Sequence, residues 1–306
     1  MVVLFSLEER IGSLGPTAVA VGNFDGLHLG HLRILKTLTQ EATARNLNSL
    51  VITFSPHPEK ILGQEAIHMI QTLDQRLESL RLNGVDTALV IPFNDNFFRL
   101  TAEEFVRDIL VGRLQAKLIV VGSDFRFGRQ RQGNLEYLTQ AGAELGFEVV
   151  VVPPVIMDGL IVSSSLIRGL LEKGQVEMAN RYLGRPYEIA GRVIRGESRG
   201  QSLGIPTANI KTKNEILPAG VFITETQVKG SFFPSVTNIG NRPTFEASDS
   251  SIETHLLNFQ GDLYGLDIKI RFHQKIREEK KFSDPQELRL QVLQDIEKAR
   301  QFWVKG

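Results

Sequence analysis

The rhythm of this chain changes once along its length, and that change limits the folds open to it. Between Thr17 and about Val152, short β-branched apolar runs at 17–21, 49–54, 87–91, 117–121 and 147–151 alternate with helical spacing. Helices read from 73–83, stopped by Gly84, and from 102–110, entered through a Thr101/Glu104 capping box. Continuously apolar strands separated by helices need cover on both faces, which predicts an α/β domain with a parallel, doubly wound sheet. Past Gly184, strand patterns at 189–194, 221–228, 232–238, 252–259 and 267–277 follow one another with no helix between them, and Lys229-Gly230 marks a tight hairpin. A last helical pattern at 285–302 sets Leu288, Val292, Leu293 and Ile296 on one face. Consecutive strands closed by one helix predict a small antiparallel β-barrel. At 306 residues the chain exceeds one comfortable core. The expected division is 1–160 for the α/β domain, 161–183 for a Ser-capped helical connector and 184–306 for the barrel.

Charge and composition narrow the partners. Lys plus Arg and Asp plus Glu both number 35, so no global field draws the chain to nucleic acid or to an anionic membrane. An anionic ligand has to be met by local charges. The chain has no cysteine, which excludes disulfides and thiolate metal sites and fits a reducing compartment. It shows neither a basic leader nor an apolar run approaching about 18 residues. The expectation is therefore a cytoplasmic protein with no membrane span; oligomeric state is left open.

One turn of the α/β half concentrates chemistry. Gly22-Asn23-Phe24-Asp25-Gly26-Leu27-His28-Leu29-Gly30-His31 follows the first long strand pattern and precedes a helical one. A glycine-rich turn there presents backbone N–H groups and a helix N-terminus to phosphate. Two imidazoles three residues apart point the same way and can donate to phosphate oxygens. Three more segments should meet this turn at the carboxyl ends of the strands: Thr53-Phe54-Ser55-Pro56-His57-Pro58, Gly122-Ser123-Asp124-Phe125-Arg126-Phe127-Gly128, and Ser163-Ser164-Ser165-Leu166-Ile167-Arg168. The last opens a helix with hydroxyls and places Arg168 one turn in, suited to bidentate phosphate contact.

The ten-residue segment resembles the HxGH signature of the nucleotidyltransferases, and in its long form that of the bacterial bifunctional riboflavin kinase/FAD synthetases. All four segments match motifs of that family in order. The resemblance implies that Gly22, Asn23, Phe24, Asp25 and His57 line the nucleotide site, and that His28 and His31 bind the triphosphate and stabilise the transition state at the α-phosphorus. It also implies that Ser164, Ser165 and Arg168 hold the departing pyrophosphate, and that Asp124 sits near the acceptor or ribose. Ser165 departs from the family, where threonine is usual, but keeps the hydroxyl. The bland alternatives are a metal pair for His28 and His31, poorly served without a neighbouring thiolate or carboxylate pair, and plain loop residues for His57 and Asp124. His68 and His273 carry no motif and are assigned no role.

The barrel half carries a second set. Gly191-Arg192-Val193-Ile194-Arg195-Gly196, Gly204-Ile205-Pro206-Thr207-Ala208-Asn209-Ile210, Thr237-Asn238-Ile239-Gly240-Asn241-Arg242-Pro243-Thr244-Phe245 and Ile252-Glu253-Thr254-His255-Leu256-Leu257 resemble the riboflavin kinase barrel. The resemblance makes Thr207 and Asn209 phosphate and Mg²⁺ ligands, Gly204 part of the phosphate loop spanning 196–204, and Glu253 the catalytic base. A primary hydroxyl attacking a γ-phosphate needs one carboxylate to take its proton and a cation to bridge the phosphates. No P-loop motif is present in the sequence. Gln201 stands where a basic residue is frequent and Phe222 where tyrosine is common. Glu197 to Gly200 completes a GxSxG pattern, which the barrel context denies the strand-to-helix elbow a serine hydrolase needs. The implied activity is riboflavin plus ATP to FMN and ADP, then FMN plus ATP to FAD and pyrophosphate. Two rival readings are an enzyme with only one working site, and a flavin or nucleotide binder without turnover.

Overall fold

The structure, a computed structural model, describes residues 1–9, 14–62, 67–196, 204–241 and 250–305. They form two compact units, Met1–Ile67 with Leu73–Ser163, and His68–Thr72 with Ser164–Gly306. In the first, β1 (Val2–Leu4), β2 (Thr17–Val21), β3 (Asn48–Phe54), β4 (Thr87–Ile91), β5 (Ala116–Gly122) and β6 (Glu148–Val152) build one parallel sheet in the order β1-β4-β3-β2-β5-β6. Its helices are α1 (Leu29–Arg45), α2 (Pro58–Leu62), α3 (Leu73–Leu82), α4 (Asp95–Phe98), α5 (Ala102–Glu104) and α6 (Leu135–Leu145). Alternation along the strands divides the core in two. Val19, Val21, Ile52, Leu89 and Ile119 face one layer with Phe105, Ile109 and Leu138. Ala18, Ala20, Val51, Ala88 and Val120 face the other with Leu35, Leu38 and Leu80. The alanines on the second face let α1 lie close to the sheet. A two-stranded ribbon, β7 (Ile156–Met157) and β8 (Leu160–Ile161), follows β6.

The helix expected over 102–110 departs from its pattern. The capping box is present: Glu104 N donates to Thr101 Oγ1 at 3.2 Å and Thr101 N to Glu104 Oε2 at 2.8 Å. Past Glu104 the coil widens to a π-helix over Phe105–Arg113, with Leu114 N donating to the Ile109 carbonyl at 2.9 Å. Phe105 and Leu110, like Ile109 and Leu114, are buried pairs five apart, and i→i+5 bonding stacks such pairs on one face. A reading at 3.6 residues per turn misses that.

In the second unit, α7 (Ser164–Glu172) and α8 (Val176–Leu183) are two helices where one helical stretch is expected, and Gly174 stands between them at φ 69°. Six strands, β9 (Tyr187–Ile194), β10 (Ala208–Thr212), β11 (Gly220–Val228), β12 (Ser231–Asn241), β13 (Ser250–Leu256) and β14 (Asp267–Arg277), close an antiparallel barrel in the order β10-β13-β12-β11-β14-β9. Its interior is filled partly by the rings of Tyr187, Phe222 and Phe272 and partly by hydroxyls. Thr224, Thr226, Ser235, Thr237 and Thr254 are fully buried and joined by contacts of 2.8 Å, so each hydroxyl meets a partner inside the barrel. Phe222, the residue that stands in for tyrosine, lies edge-on to Phe272 in this interior.

Helix α9 (Pro285–Lys305) covers the outer face of β11 and β12, where Ile296 and Ala299 meet Val221, Ile223 and Val236. The expected stripe is shifted: Leu293 is exposed, and Asp295 turns inward onto the Arg277 guanidinium at 2.8 and 3.0 Å. Two strands, β1 and β10, carry no readable pattern: β1 has three residues, and β10 mixes Ala208 and Ile210 with Asn209, Lys211 and Thr212.

Candidate active sites

In the first unit the chain leaves β2 at the point where its neighbours, β3 and β5, connect in opposite directions, so the crevice outside the carboxyl ends opens there. The turn from Gly22 to His28 is tightly wound. Phe24, Gly26 and Leu27 hold φ of 51°, 83° and 37°, and the Phe24 and Leu27 side chains are buried in the sheet layer under α1. Non-glycine residues in that region are strained and persist where packing holds them.

His28 is the N-cap of α1. Its Nδ1 accepts from Gly30 N at 3.2 Å and from His31 N at 3.4 Å. An accepting Nδ1 carries the lone pair, so the ring proton sits on Nε2, which makes that atom a donor. Two of the first-turn amides, Gly30 N and His31 N, thus donate to the imidazole. A Cβ at position 30 would come within 3.0 Å of the His28 ring, so glycine at this position is what lets the ring fold back. The His31 ring stacks on His28 at 3.7 Å and 20°, and Phe24 packs on His31 at 5.1 Å. The pair sets two stacked, nitrogen-bearing rings, His28 buried and His31 half-buried, at the positive end of a 17-residue helix.

The remaining residues of the first set are placed as follows. Asp25 and His57 are buried. His57 repeats the device of His28, its Nδ1 accepting from Glu59 N at 3.2 Å at the start of α2. Asp124 is exposed in the turn after β5. Ser164, Ser165 and Arg168 stand on α7, which belongs to the second compact unit; there Arg168 Nε donates to the His68 carbonyl at 2.8 Å. Along the carboxyl edge of the sheet, Phe54, Phe93 and Phe97 form a ring cluster with centroids 5.4–5.9 Å apart. Nothing in the spacing of these rings along the sequence marks a ligand.

In the barrel, ladder register gathers the second set. Asn209 on β10 and Asn238 on β12 lie directly opposite Glu253 on β13, one on each side, so the three side chains share a face. Thr207 Oγ1 reaches Glu253 Oε2 at 3.4 Å. His255 Nδ1 meets the Pro206 carbonyl at 2.8 Å and pins the segment that carries Thr207. A Cβ at Gly196 would collide with the Asn209 amide, so glycine lets the strand end pass over it. Asn238 Oδ1 is buried with no hydrogen-bond partner among the described residues, an acceptor beside Glu253 that sequence reading passed over. Gly204 is exposed at the loop's far end, with φ of 74°. The rest of that loop, including Gln201, and the Glu197 to Gly200 stretch lie outside the described residues, as do Arg242 to Phe245.

No cluster of three or more His, Cys, Asp or Glu side chains suited to a metal occurs among the described residues. A divalent cation in the barrel would therefore rest on hydroxyl and amide oxygens. Thr207, Asn209 and the orphaned Asn238 oxygen are hard donors of that kind, which suits a cation held mainly by substrate phosphates.

A nucleotide-type parallel sheet and a six-stranded barrel, each with its own polar site, define a two-domain phosphate-transfer class. The profile of FAD synthetase matches residues 11–166 and that of riboflavin kinase residues 183–303. A protein of Pseudomonas fluorescens named bifunctional riboflavin kinase/FMN adenylyltransferase is 39% identical over 92% of this chain and 91% of its own. One of the same name from Escherichia coli K12 is 37% identical over 93% and 92%. The chain belongs to the bifunctional riboflavin kinase/FMN adenylyltransferase family. A crystal structure described as a macrolide-efflux protein from Streptococcus pneumoniae matches with a TM-score of 0.88 at 27% identity, covering 98% of this chain and 99% of that one. No helix among the described residues is long and apolar enough to cross a membrane.

Proposed function

We infer that each reaction of this bifunctional ATP-dependent enzyme is run by the residues gathered in one of the two sites. The chain phosphorylates riboflavin to FMN and transfers the adenylyl group of a second ATP to FMN, giving FAD and pyrophosphate. In the barrel, Glu253 takes the proton of the terminal ribityl hydroxyl as its oxygen attacks the γ-phosphorus and ADP departs. The half-buried carboxylate beside Thr207 and Asn209 supports that role over a solvated strand carboxylate. Thr207 and Asn209 are proposed to hold Mg²⁺, which supplies neutralising charge to the phosphates when bound. Asn238 offers a further oxygen on the same face.

At the sheet, an oxygen of the FMN phosphate attacks the α-phosphorus of ATP and pyrophosphate leaves. Alignment and charge stabilisation suffice, with no covalent intermediate. The observation that carries this reading is the stacked His28–His31 pair at the N-terminus of α1, with Nε2 of His28 kept as a donor by its own cap. Gly22, Asn23, Phe24, Asp25 and His57 shape the nucleotide side. For Ser164, Ser165, Arg168, Gly204 and Asp124 the assigned roles rest on motif alone. The ring cluster of Phe54, Phe93 and Phe97 offers apolar faces for a flavin ring. We place the enzyme in the cytoplasm, acting on small molecules and not on nucleic acid, with domains divided at 160 and 184.

Incubation with riboflavin, Mg²⁺ and ATP is expected to give FMN first and FAD after it, separated chromatographically by their fluorescence. Accumulation of FMN alone would remove the sheet site's role, and no flavin turnover at all would favour the binder.

A further inference from the structure

Arg76 on α3 belongs to none of the motifs and is only 3% exposed. A buried guanidinium carries a permanent charge and five donors, so its surroundings have to account for it. Nη1 donates to Thr53 Oγ1 and to the Phe54 carbonyl, both at 3.0 Å, at the carboxyl end of β3. Thr53 is itself fully buried, and its Oγ1 donates onward to the Asn23 carbonyl at 3.0 Å. Two hydrogen bonds in series thus tie α3 and β3 to the turn that continues through Phe24, Asp25 and His28. Asp25, 1% exposed, acts on Arg76 through space. Burial pulls the guanidinium below its ordinary value and the Asp25 carboxylate pushes it back. The strained Phe24 and Leu27 backbone lies within this turn, and such conformations last only where neighbours hold them.

We propose that Arg76 is a positioning residue for adenylyl transfer, fixing through Thr53 and Asn23 the turn that aims His28 and His31, and neutralising the buried Asp25. It touches no substrate and acts through other residues. The proposal rests on the reading that His28 and His31 act on ATP.

The test uses the full chain with FMN and ATP, comparing Arg76→Met, Arg76→Lys, Thr53→Val, the double variant Arg76→Met/Thr53→Val, and His28→Ala. Thr53→Val keeps the side-chain shape and removes only the relay's hydroxyl, so it decides the matter even if Arg76→Met folds poorly. Expected are a fall of about tenfold in kcat for Thr53→Val and more for Arg76→Met, with KM for ATP moving less than about threefold. The double variant should be no slower than Arg76→Met, because the two residues act as one unit. Arg76→Lys should recover most of the rate, since it keeps the charge and donors to both oxygens. Riboflavin phosphorylation in the same samples should match the wild type. Wild-type kcat in Thr53→Val, or losses that multiply in the double variant, would overturn the role of Arg76 while a slow His28→Ala leaves the site reading intact. Wild-type kcat in His28→Ala would remove that reading and this proposal with it.

Discussion

His28 does two jobs with two ring nitrogens, and a substitution can take away one while keeping the other. Nδ1 caps α1 by accepting from Gly30 and His31, and Nε2 carries the ring proton and is a donor. Asparagine is among the best N-caps, whereas alanine offers no acceptor and loses about 1 kcal/mol on that account. His28→Asn is therefore expected to unfold in urea about 1 kcal/mol later than His28→Ala, because both lose the ring and only one loses the cap. Both should form FAD from FMN about a hundredfold more slowly, the scale of one lost oxyanion-type donor. An asparagine variant with wild-type turnover would show that the ring's second nitrogen is idle. The motif made these histidines visible in the sequence, but their mode of action was not. Capping rules favour Ser, Thr, Asp and Asn, and they give no warning that His28 and His57 would both fill such positions. Arg76 was hidden for the opposite reason, since an arginine on an amphipathic helix is read as solvated and here is buried.

Elements were legible where apolar runs were long and regular, as in β2 to β6 and in β11 and β14, and illegible where length or period departed from the norm. The π-helix over Phe105–Arg113 and the three-residue β1 are such cases. Helix α9 was read correctly as a cover with its face slightly rotated, and the rotation brings its last turn over His273. That imidazole, given no role on sequence grounds, packs edge-on against Trp303 at 4.9 Å and beside Phe302 at 6.0 Å. Its Nε2 is buried without a hydrogen-bond partner among the described residues. Desolvation, and secondarily the Arg271 charge, pull its pKa below the ordinary 6.5. The folded state then binds fewer protons than the unfolded state, so stability rises with pH across the interval between the two values. The contribution is complete above about 6.5 and is lost as pH falls from there through the depressed folded value. The protection factors of α9 amides, which divide out the intrinsic pH dependence of exchange, should therefore fall below pH 6.5 in the wild type, and His273→Leu should flatten that dependence. An unchanged slope in the variant would assign the acid weakening to other groups.

At the scale of the whole molecule, the two reactions are written into units with separate cores: one is built on the two layers around the parallel sheet and the other on the barrel and α9. A substitution that alters a few atoms in one core should leave the other site intact. Glu253→Gln removes a proton acceptor with almost no change of shape, so FMN formation should fall by about 10²-fold or more while FAD still forms from supplied FMN. His28→Ala should do the reverse. The two variants mixed together test whether the product of the first reaction is free to travel, because neither protein alone completes the sequence from riboflavin. FMN released by one protein is a diffusible substrate for the other, so the mixture should produce FAD after a lag that shortens as the His28→Ala protein is raised. A mixture that makes FMN and never FAD, although Glu253→Gln still converts FMN added from outside, would mean that FMN made at the barrel does not leave the chain that made it. A loss of both activities in either single variant would contradict the assignment of one reaction to each unit.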